Sequence, residues 1–179
     1  IQERNTDLIP YAEWARQGYL TRTPGNVIDY GYIRSWLIGK ISENGKRSGG
    51  VISLVNIKEI AYDPWNASQL IQDLIDDGAN VVEFRQGIRS YNPAIKEFEK
   101  LMLGKQLDHG NNPVLTWMAE NLVYRRDAND NRAPDKKHSA EKIDGMVGLI
   151  MAIGRWASQA LAIKQSRWEQ EDQGDNSSS

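Results

Sequence analysis

The sequence predicts an α/β fold in which a sheet with parallel portions is covered by helices on both faces. From residue 57 onward, short apolar runs of strand character alternate with segments of helical spacing, a pattern typical of β–α–β units. The chain of 179 residues is 40% apolar and 26% charged, which is the composition of a globular domain. It contains no cysteine, which excludes disulfides, cysteine-ligated zinc and thiol catalysis.

The first half of the chain carries clear start and stop signals for helices. Pro10 and Gly18 are typical of the first and last positions of a short helix. Asp29 is a suitable N-cap for the next helix, which has apolar residues at helical spacing. Residues 51–55 fit either a helix end or a strand. The predicted order is a helix at 10–18, a strand at 19–23, a helix through 32–41 and a flexible interruption at 45–50.

The second half supplies the alternation on which the fold class depends. Gly78 and Gly104 each follow a segment of helical periodicity and mark its end. The predicted strands are 57–62, 79–84 and 122–126. The predicted helices are 66–77, 90–103, 113–121 and 140 to about 165. We expect one domain over 1–168 and a disordered polar tail over 169–179.

Charge and hydropathy narrow the functional classes. A formal net charge of −2 argues against a histone-like protein, but a carboxylate-rich nuclease remains compatible with it. No P-loop motif is present, which excludes that mode of nucleotide binding. The apolar run at 145–153 is shorter than the roughly 20 residues that span a bilayer, so we expect a buried core helix and no membrane association.

Asp63 is the first candidate for chemistry. It follows the apolar strand IKEIAY and precedes Pro64, so it is expected at the carboxyl end of a strand, the edge where open α/β sheets bind ligands. The alternative is that Asp63 simply begins a turn or caps the following helix.

Asp144 is the second candidate, near the start of an otherwise apolar helix. Its spacing places it on one helical face with Glu141 and Gly148, and Gly145 and Gly148 are expected to let that helix approach a sheet closely. The alternative is an acidic first turn that complements the helix dipole. Carboxylates from distant segments suit Mg²⁺, which prefers oxygen ligands and substrate phosphate. The stretch 125–137 is the best phosphate-facing candidate, although a solvated surface is the default interpretation of its basic residues.

Several stretches together resemble one known family, the large subunit of tailed-phage terminases, in its C-terminal nuclease domain. The resemblance covers nearly all of residues 10–155 in the family's order. The matching stretches are PYAEWARQGYL, TPGNVIDYGYI, IKEIAYDPWNA, the segment from VVEFRQGIRSY to ENLVYRRD, and PDKKHSAEKIDGMVGLIMAIGR.

The resemblance implies an RNase H-like fold, a mixed central sheet flanked by helices, and a nuclease site with two Mg²⁺ or Mn²⁺ ions. It places two catalytic, metal-binding acids on Asp63 and Asp144, and Glu141 is a weaker candidate for an additional ligand. Lys136 or Lys137 is expected to stabilise the negative charge that develops on the phosphate. The family's first acid lies on an opening strand upstream of PYAEW that this sequence does not contain, so we expect an N-terminally truncated domain without its first strands.

The implied activity is metal-dependent endonucleolytic cutting of concatemeric viral DNA during packaging, in the cytoplasm of the bacterial host and transiently at the procapsid portal. It is expected of the full-length protein, and this chain alone is expected to have an incomplete site. The implied partners are double-stranded DNA, the phage portal protein, the small terminase subunit and an upstream ATPase domain of the same polypeptide. Two alternatives remain open: a non-catalytic fragment that docks on DNA or portal, and another RNase H-like nuclease of recombination.

Overall fold

A computed structural model describes residues 9–23, 25, 27–41, 47–66 and 69–175, with helices and short strands in alternation. The α-helices are Tyr11–Arg16 (α1), Tyr30–Ile38 (α2), Gln69–Asp76 (α3), Ile88–Leu103 (α4), Pro113–Glu120 (α5) and Asp144–Asp175 (α6). The strands are Lys40–Ile41 (β1), Arg47–Ser48 (β2), Ile60–Tyr62 (β3), Val81–Glu83 (β4), Tyr124–Arg126 (β5) and Arg132–Pro134 (β6). The predicted mixed α/β class is confirmed.

The strands pair into three two-stranded sheets within the described residues. β3 and β4 are parallel, as the predicted β–α–β unit requires, whereas β1–β2 and β5–β6 are antiparallel. The prediction of one central sheet that includes the strand at 122–126 is therefore not met here. That strand pairs locally instead, because the short loop after Asp127 returns the chain directly alongside it as β6.

The chain divides into two compact units. The first comprises the described residues of Ile1–Glu83 with Asn112–Val114, and the second comprises Phe84–Asn111 with Leu115–Ser179. The sequence led us to expect one domain over 1–168. The predicted tail at 169 begins inside α6, which ends at Asp175, and residues 176–179 lie outside the described residues.

In the first unit, α2 packs against α3 and against a 3₁₀ helix at Val51–Ser53, the segment that the sequence left unassigned. The predicted cap of α2 is confirmed, since Tyr32 N donates to Asp29 Oδ1 at 2.9 Å. Just after α3, the Asp77 carboxylate accepts two hydrogen bonds from the Arg34 guanidinium, at 2.6 and 2.7 Å. This fork fixes the end of α3 against α2 ahead of β4.

The strand predicted at 19–23 is wrong, since these described residues form bends and irregular backbone. Gly18 has a φ of +84°, which turns the chain back at the end of α1. Tyr19 N and Leu20 N then both donate to Trp14 O, at 2.8 and 3.3 Å. The backbone donors that a strand needs for pairing are used to close the helix.

The core of the second unit lies between α4 and α6. One face of α6 is buried, and it carries Met146, Val147, Ile150, Met151 and Ile153. The stretch Asp144–Ile163 is long and apolar enough to cross a membrane by length and composition alone. Its buried face packs on α4, as the predicted core helix does.

The close approach of α6 to its neighbour occurs at a glycine that the sequence analysis did not single out. A Cβ on Gly154 would lie 2.7 Å from Ala94 Cβ, so this glycine permits the contact with α4. A Cβ on Gly148 would meet nothing within 4 Å, and one on Gly145 would meet the flexible Met118 side chain. The expectation that Gly148 serves helix–sheet packing is wrong, because Gly148 lies on the exposed face.

Candidate active site

Asp63 lies where the sequence predicts it, directly after β3. Because β3 runs parallel to β4, with Tyr62 opposite Glu83, Asp63 is at the carboxyl end of a parallel pair. Its carboxylate is half-buried and accepts a hydrogen bond from Trp65 N at 3.1 Å. Asp63 therefore also begins a turn, which continues as a 3₁₀ helix at Pro64–Asn66. Asp63 thus lies at a strand end, as predicted, and also begins a turn, as the alternative predicted.

Asp144 is the first residue of α6 and is exposed. Its Oδ1 accepts a hydrogen bond from Lys136 Nζ at 2.7 Å, which makes a charge-assisted pair. Glu141 was expected on the same helical face, but that expectation is wrong, since α6 begins only at Asp144 and Glu141 lies in the bend before it. The helical hydrogen bond from Val147 N to Ile143 O sets this boundary.

Lys136 is presented by a tight turn that Asp135 organises. The Asp135 Oδ1 atom accepts from the backbone of Lys137 at 3.1 Å and of His138 at 3.2 Å. His138 Nδ1 lies 2.7 Å from Asp135 Oδ2, and this hydrogen bond is the main cause that lowers the pKa of Asp135. Ser139 completes the turn by donating its hydroxyl to Asp135 O at 2.8 Å. A hydrogen-bonded turn thus precedes α6, and its exposed residues are Lys136, Lys137 and His138.

The β5–β6 hairpin that leads into this turn is anchored on α4. The Arg132 guanidinium makes a two-pronged ion pair with Glu99, at 2.5 and 2.7 Å, and this pairing raises the pKa of Arg132. Asn92 donates to Asn131 Oδ1 at 2.8 Å and accepts from Arg132 N at 3.2 Å. Arg132 also lies 5.5 Å from the centre of the Tyr124 ring, and burial is the main cause that raises the pKa of Tyr124 to about 12.

Two of the candidate residues contact each other, and a third lies in the other unit. Lys136 and Asp144 form one contact within the second unit, whereas Asp63 belongs to the first. Across the described part of the chain, no group of three or more histidine, aspartate or glutamate side chains is arranged to hold a metal ion. Sequence reasoning missed the Asp135 turn, for which the D-x-x-H spacing of Asp135 and His138 was the available signal.

Comparisons with known proteins identify a family. The sequence model of the family described as "Terminase large subunit, endonuclease domain" matches residues 1–160. The large terminase subunit of Enterobacteria phage HK97 is 36% identical over 157 residues, which cover 86% of this chain and 29% of that protein. Protein YmfN of Escherichia coli K12 is 33% identical over 147 residues, 81% of this chain and 30% of the other.

The structural comparison points the same way. The crystal structure of the HK97 bacteriophage large terminase is similar with a TM-score of 0.69 and 34% identity, over 84% of this chain and 29% of that one. The chain therefore spans about three tenths of the length of the relatives that it matches.

Proposed function

The chain belongs to the terminase large subunit endonuclease domain family, and from this membership we propose that it is a metal-dependent endonuclease acting on double-stranded viral DNA during packaging. The family match over residues 1–160 is the observation that carries the proposal. The likeness to the HK97 large terminase structure supports an RNase H-like fold for the domain, which we include in the proposal. The reaction is hydrolysis of a phosphodiester bond.

Asp63 and Asp144 are the proposed catalytic and metal-binding residues. Asp63 is supported by its place at the carboxyl end of the parallel β3–β4 pair, and Asp144 by its exposed position at the start of α6. Lys136, whose ammonium contacts Asp144, is proposed to offset the negative charge that builds up on the phosphate.

The donor chemistry of the two aspartates fits Mg²⁺ or Mn²⁺, since both ions take carboxylate oxygens. When bound, two such ions supply Lewis-acid stabilisation of the scissile phosphate. Because no group of three acids is assembled among the described residues, we propose that Asp63 and Asp144 are part of a larger ligand set. Asp63 holds its turn in place through one oxygen, so the same side chain has a structural task besides the proposed one.

The partners and location are proposed on the same basis. They are double-stranded DNA, the portal protein, the small terminase subunit and an ATPase domain of the parent polypeptide, in the bacterial cytoplasm and at the procapsid. A second candidate function is docking on DNA or portal without catalysis. The lack of an assembled three-acid group among the described residues favours this second candidate.

Cleavage of supercoiled plasmid in Mn²⁺, with an EDTA control, tests the proposal. If the site assembles from the 179-residue chain, that chain should nick or linearise the plasmid in Mn²⁺, and Asp63→Asn and Asp144→Asn should each abolish the cutting. Asparagine at position 63 keeps an oxygen for the hydrogen bond from Trp65 N, so loss of cutting would report on the charge and not on the turn.

Two matched variants control for these changes. Asp108 accepts from Gly110 N at 2.8 Å in the same local pattern as Asp63, and Asp130 is an exposed acid paired with Arg126. Asp108→Asn and Asp130→Asn should cut like the unaltered protein. Full cutting by Asp63→Asn and Asp144→Asn would overturn the residue assignment. Metal-independent DNA binding without any cutting would favour the docking function.

A further inference from the structure

A cavity of about 250 Å³ opens in the second unit beside the β5–β6 hairpin and the Asp135 turn. The proposed function uses Lys136 from its lining and assigns no role to the cavity itself. Its lining combines apolar surface with polar and charged side chains, which are Gln86, Tyr91, Arg125, Asp135, Lys136 and Lys137.

The charges around this cavity are mainly positive. Arg125, Lys136 and Lys137 contribute cations, and Asp135 contributes a carboxylate. That carboxylate is engaged by its own turn, through the backbone of Lys137 and the ring of His138. An anion entering the cavity therefore meets three cationic side chains, and the one acid in the lining is already hydrogen-bonded.

Arg125 and Lys137 differ from the neighbouring arginines because those arginines are held in ion pairs. Arg126 pairs with Asp130, and Arg132 pairs with Glu99. Among the residues that the structure describes, neither Arg125 nor Lys137 has an acidic partner within ion-pair distance. Two exposed cations without a described ion-pair partner thus lie at one cavity, which is an arrangement suited to binding an anionic group.

We propose that this cavity binds a backbone phosphate of DNA, with Arg125 and Lys137 as its ligands. DNA is favoured over a small free anion because the cavity adjoins the proposed cleavage site: Lys136 lines the cavity and also contacts Asp144 at 2.7 Å. A DNA strand is long enough to reach both this cavity and Asp144, which the Lys136 side chain joins. The inference rests on the proposed function, since it takes DNA as the substrate.

The test is the salt dependence of DNA binding, measured by fluorescence anisotropy with a short labelled duplex and with EDTA present. Loss of one phosphate contact lowers the slope of log Kobs against log salt by about 0.9. We expect the double variant Arg125→Gln/Lys137→Gln to show this loss and to bind about tenfold more weakly at moderate salt.

The matched control is Arg126→Gln/Lys142→Gln, which removes two nearby cations, of which Arg126 is paired with Asp130 and Lys142 is exposed and outside the cavity. Its slope should stay at the unaltered value. An equal loss of slope in the control pair would overturn the proposal, and so would an unchanged slope in the Arg125/Lys137 pair. Circular dichroism verifies that both double variants are folded.

Inorganic phosphate, added at constant ionic strength, shows whether the cavity binds a phosphate of DNA or a small free anion. Competition against DNA that disappears in the Arg125/Lys137 variant supports the site. Phosphate binding that needs Arg125 while the DNA slope is unaffected would show a small-anion pocket and overturn the DNA assignment. Because metal is chelated throughout, this test is readable whether or not Asp63 and Asp144 support cleavage.

Discussion

Lys136 Nζ lies 2.7 Å from Asp144 Oδ1, eight residues along the chain and across the turn that precedes α6. Both side chains are more than half exposed, so the pair forms in contact with water. The Lys136 ammonium therefore donates a hydrogen bond to the carboxylate that we propose as a metal ligand. A divalent cation binding to Asp144 has to compete with this lysine.

Replacement of Lys136 should separate metal binding from catalysis. Lys136→Gln should bind Mn²⁺ about twofold more tightly, because an exposed ion pair of modest strength no longer competes. The same variant should cut DNA about a hundredfold more slowly, because a cation that offsets charge on the phosphate is lost. Electron paramagnetic resonance of free Mn²⁺ and plasmid cleavage measure the two quantities.

The control for that experiment is Lys142→Gln, an exposed lysine two residues before Asp144. It should leave both Mn²⁺ affinity and cutting rate near their original values. Weaker Mn²⁺ binding by Lys136→Gln would contradict the competition between the lysine and the metal.

Asp77→Ala should destabilise the first unit. The Asp77 side chain is 6% exposed and accepts two hydrogen bonds from Arg34, so its removal leaves the guanidinium without its main partner. We expect a fall in Tm of about 5 °C or more, measured by circular dichroism. Asp76→Ala is the control, because Asp76 is exposed and accepts only from Gln72 among the contacts described; its Tm should shift by less than about 2 °C. Equal effects would show that the fork does not stabilise the α2–α3 contact.

Two glycines of α6 should respond with opposite signs to the same substitution. Gly154→Ala should destabilise the protein by about 1–3 kcal/mol, because the added methyl group would overlap Ala94. Gly148→Ala should stabilise it by about 0.5–1 kcal/mol, because the site is open and alanine favours helix. Urea unfolding of both variants measures the difference. A stabilising Gly154→Ala would mean that α4 and α6 are less closely packed than described.

The Tyr124 hydroxyl should lose its proton at a higher pH than an exposed tyrosine does. Burial is the largest cause that raises the pKa of Tyr124 to about 12, and the charge of Glu99 raises it further, while Arg132 lowers it. Because this folded value lies above the unfolded value of about 10, the stabilising contribution is complete below pH 10 and is lost as the pH rises toward 12. The tyrosinate absorbance of the unaltered protein minus that of Tyr124→Phe should have its midpoint near 12. A midpoint near 10 would contradict the buried environment.

Local signals in the sequence located most helices. Asp29 was predicted as an N-cap from its residue type and the apolar pattern after it, and the hydrogen bond to Tyr32 N confirms this. Gly104 was predicted to end α4, and it is the C-cap. The parallel pair β3–β4 also followed from local patterns, since each strand is a short apolar run on either side of a helix. These features depend on residues close together in the chain.

The features that sequence reasoning missed depend on partners far away in sequence. Whether Gly148 or Gly154 admits a neighbouring helix is decided by where α4 lies, and helical spacing alone does not contain that information. β6 carries Pro134 and follows a polar loop, so its strand character appears only once it pairs with β5. The Lys136–Asp144 contact required the intervening turn, which Asp135 holds by hydrogen bonds that no apolar pattern reveals.

The burial of α6 changes along its length, with consequences for how it opens. At about 1.5 Å per residue its 32 residues extend roughly 48 Å. Among the α6 side chains that the structure describes, which reach as far as Ile163, the last buried one is Ile153. Trp156, Leu161 and Ile163 are more than half exposed. Amide protons near Ile150 should therefore exchange with solvent deuterium only when the whole second unit unfolds, and those between Trp156 and Ile163 should exchange through local opening of the helix. One continuous helix would thus report two separate unfolding equilibria.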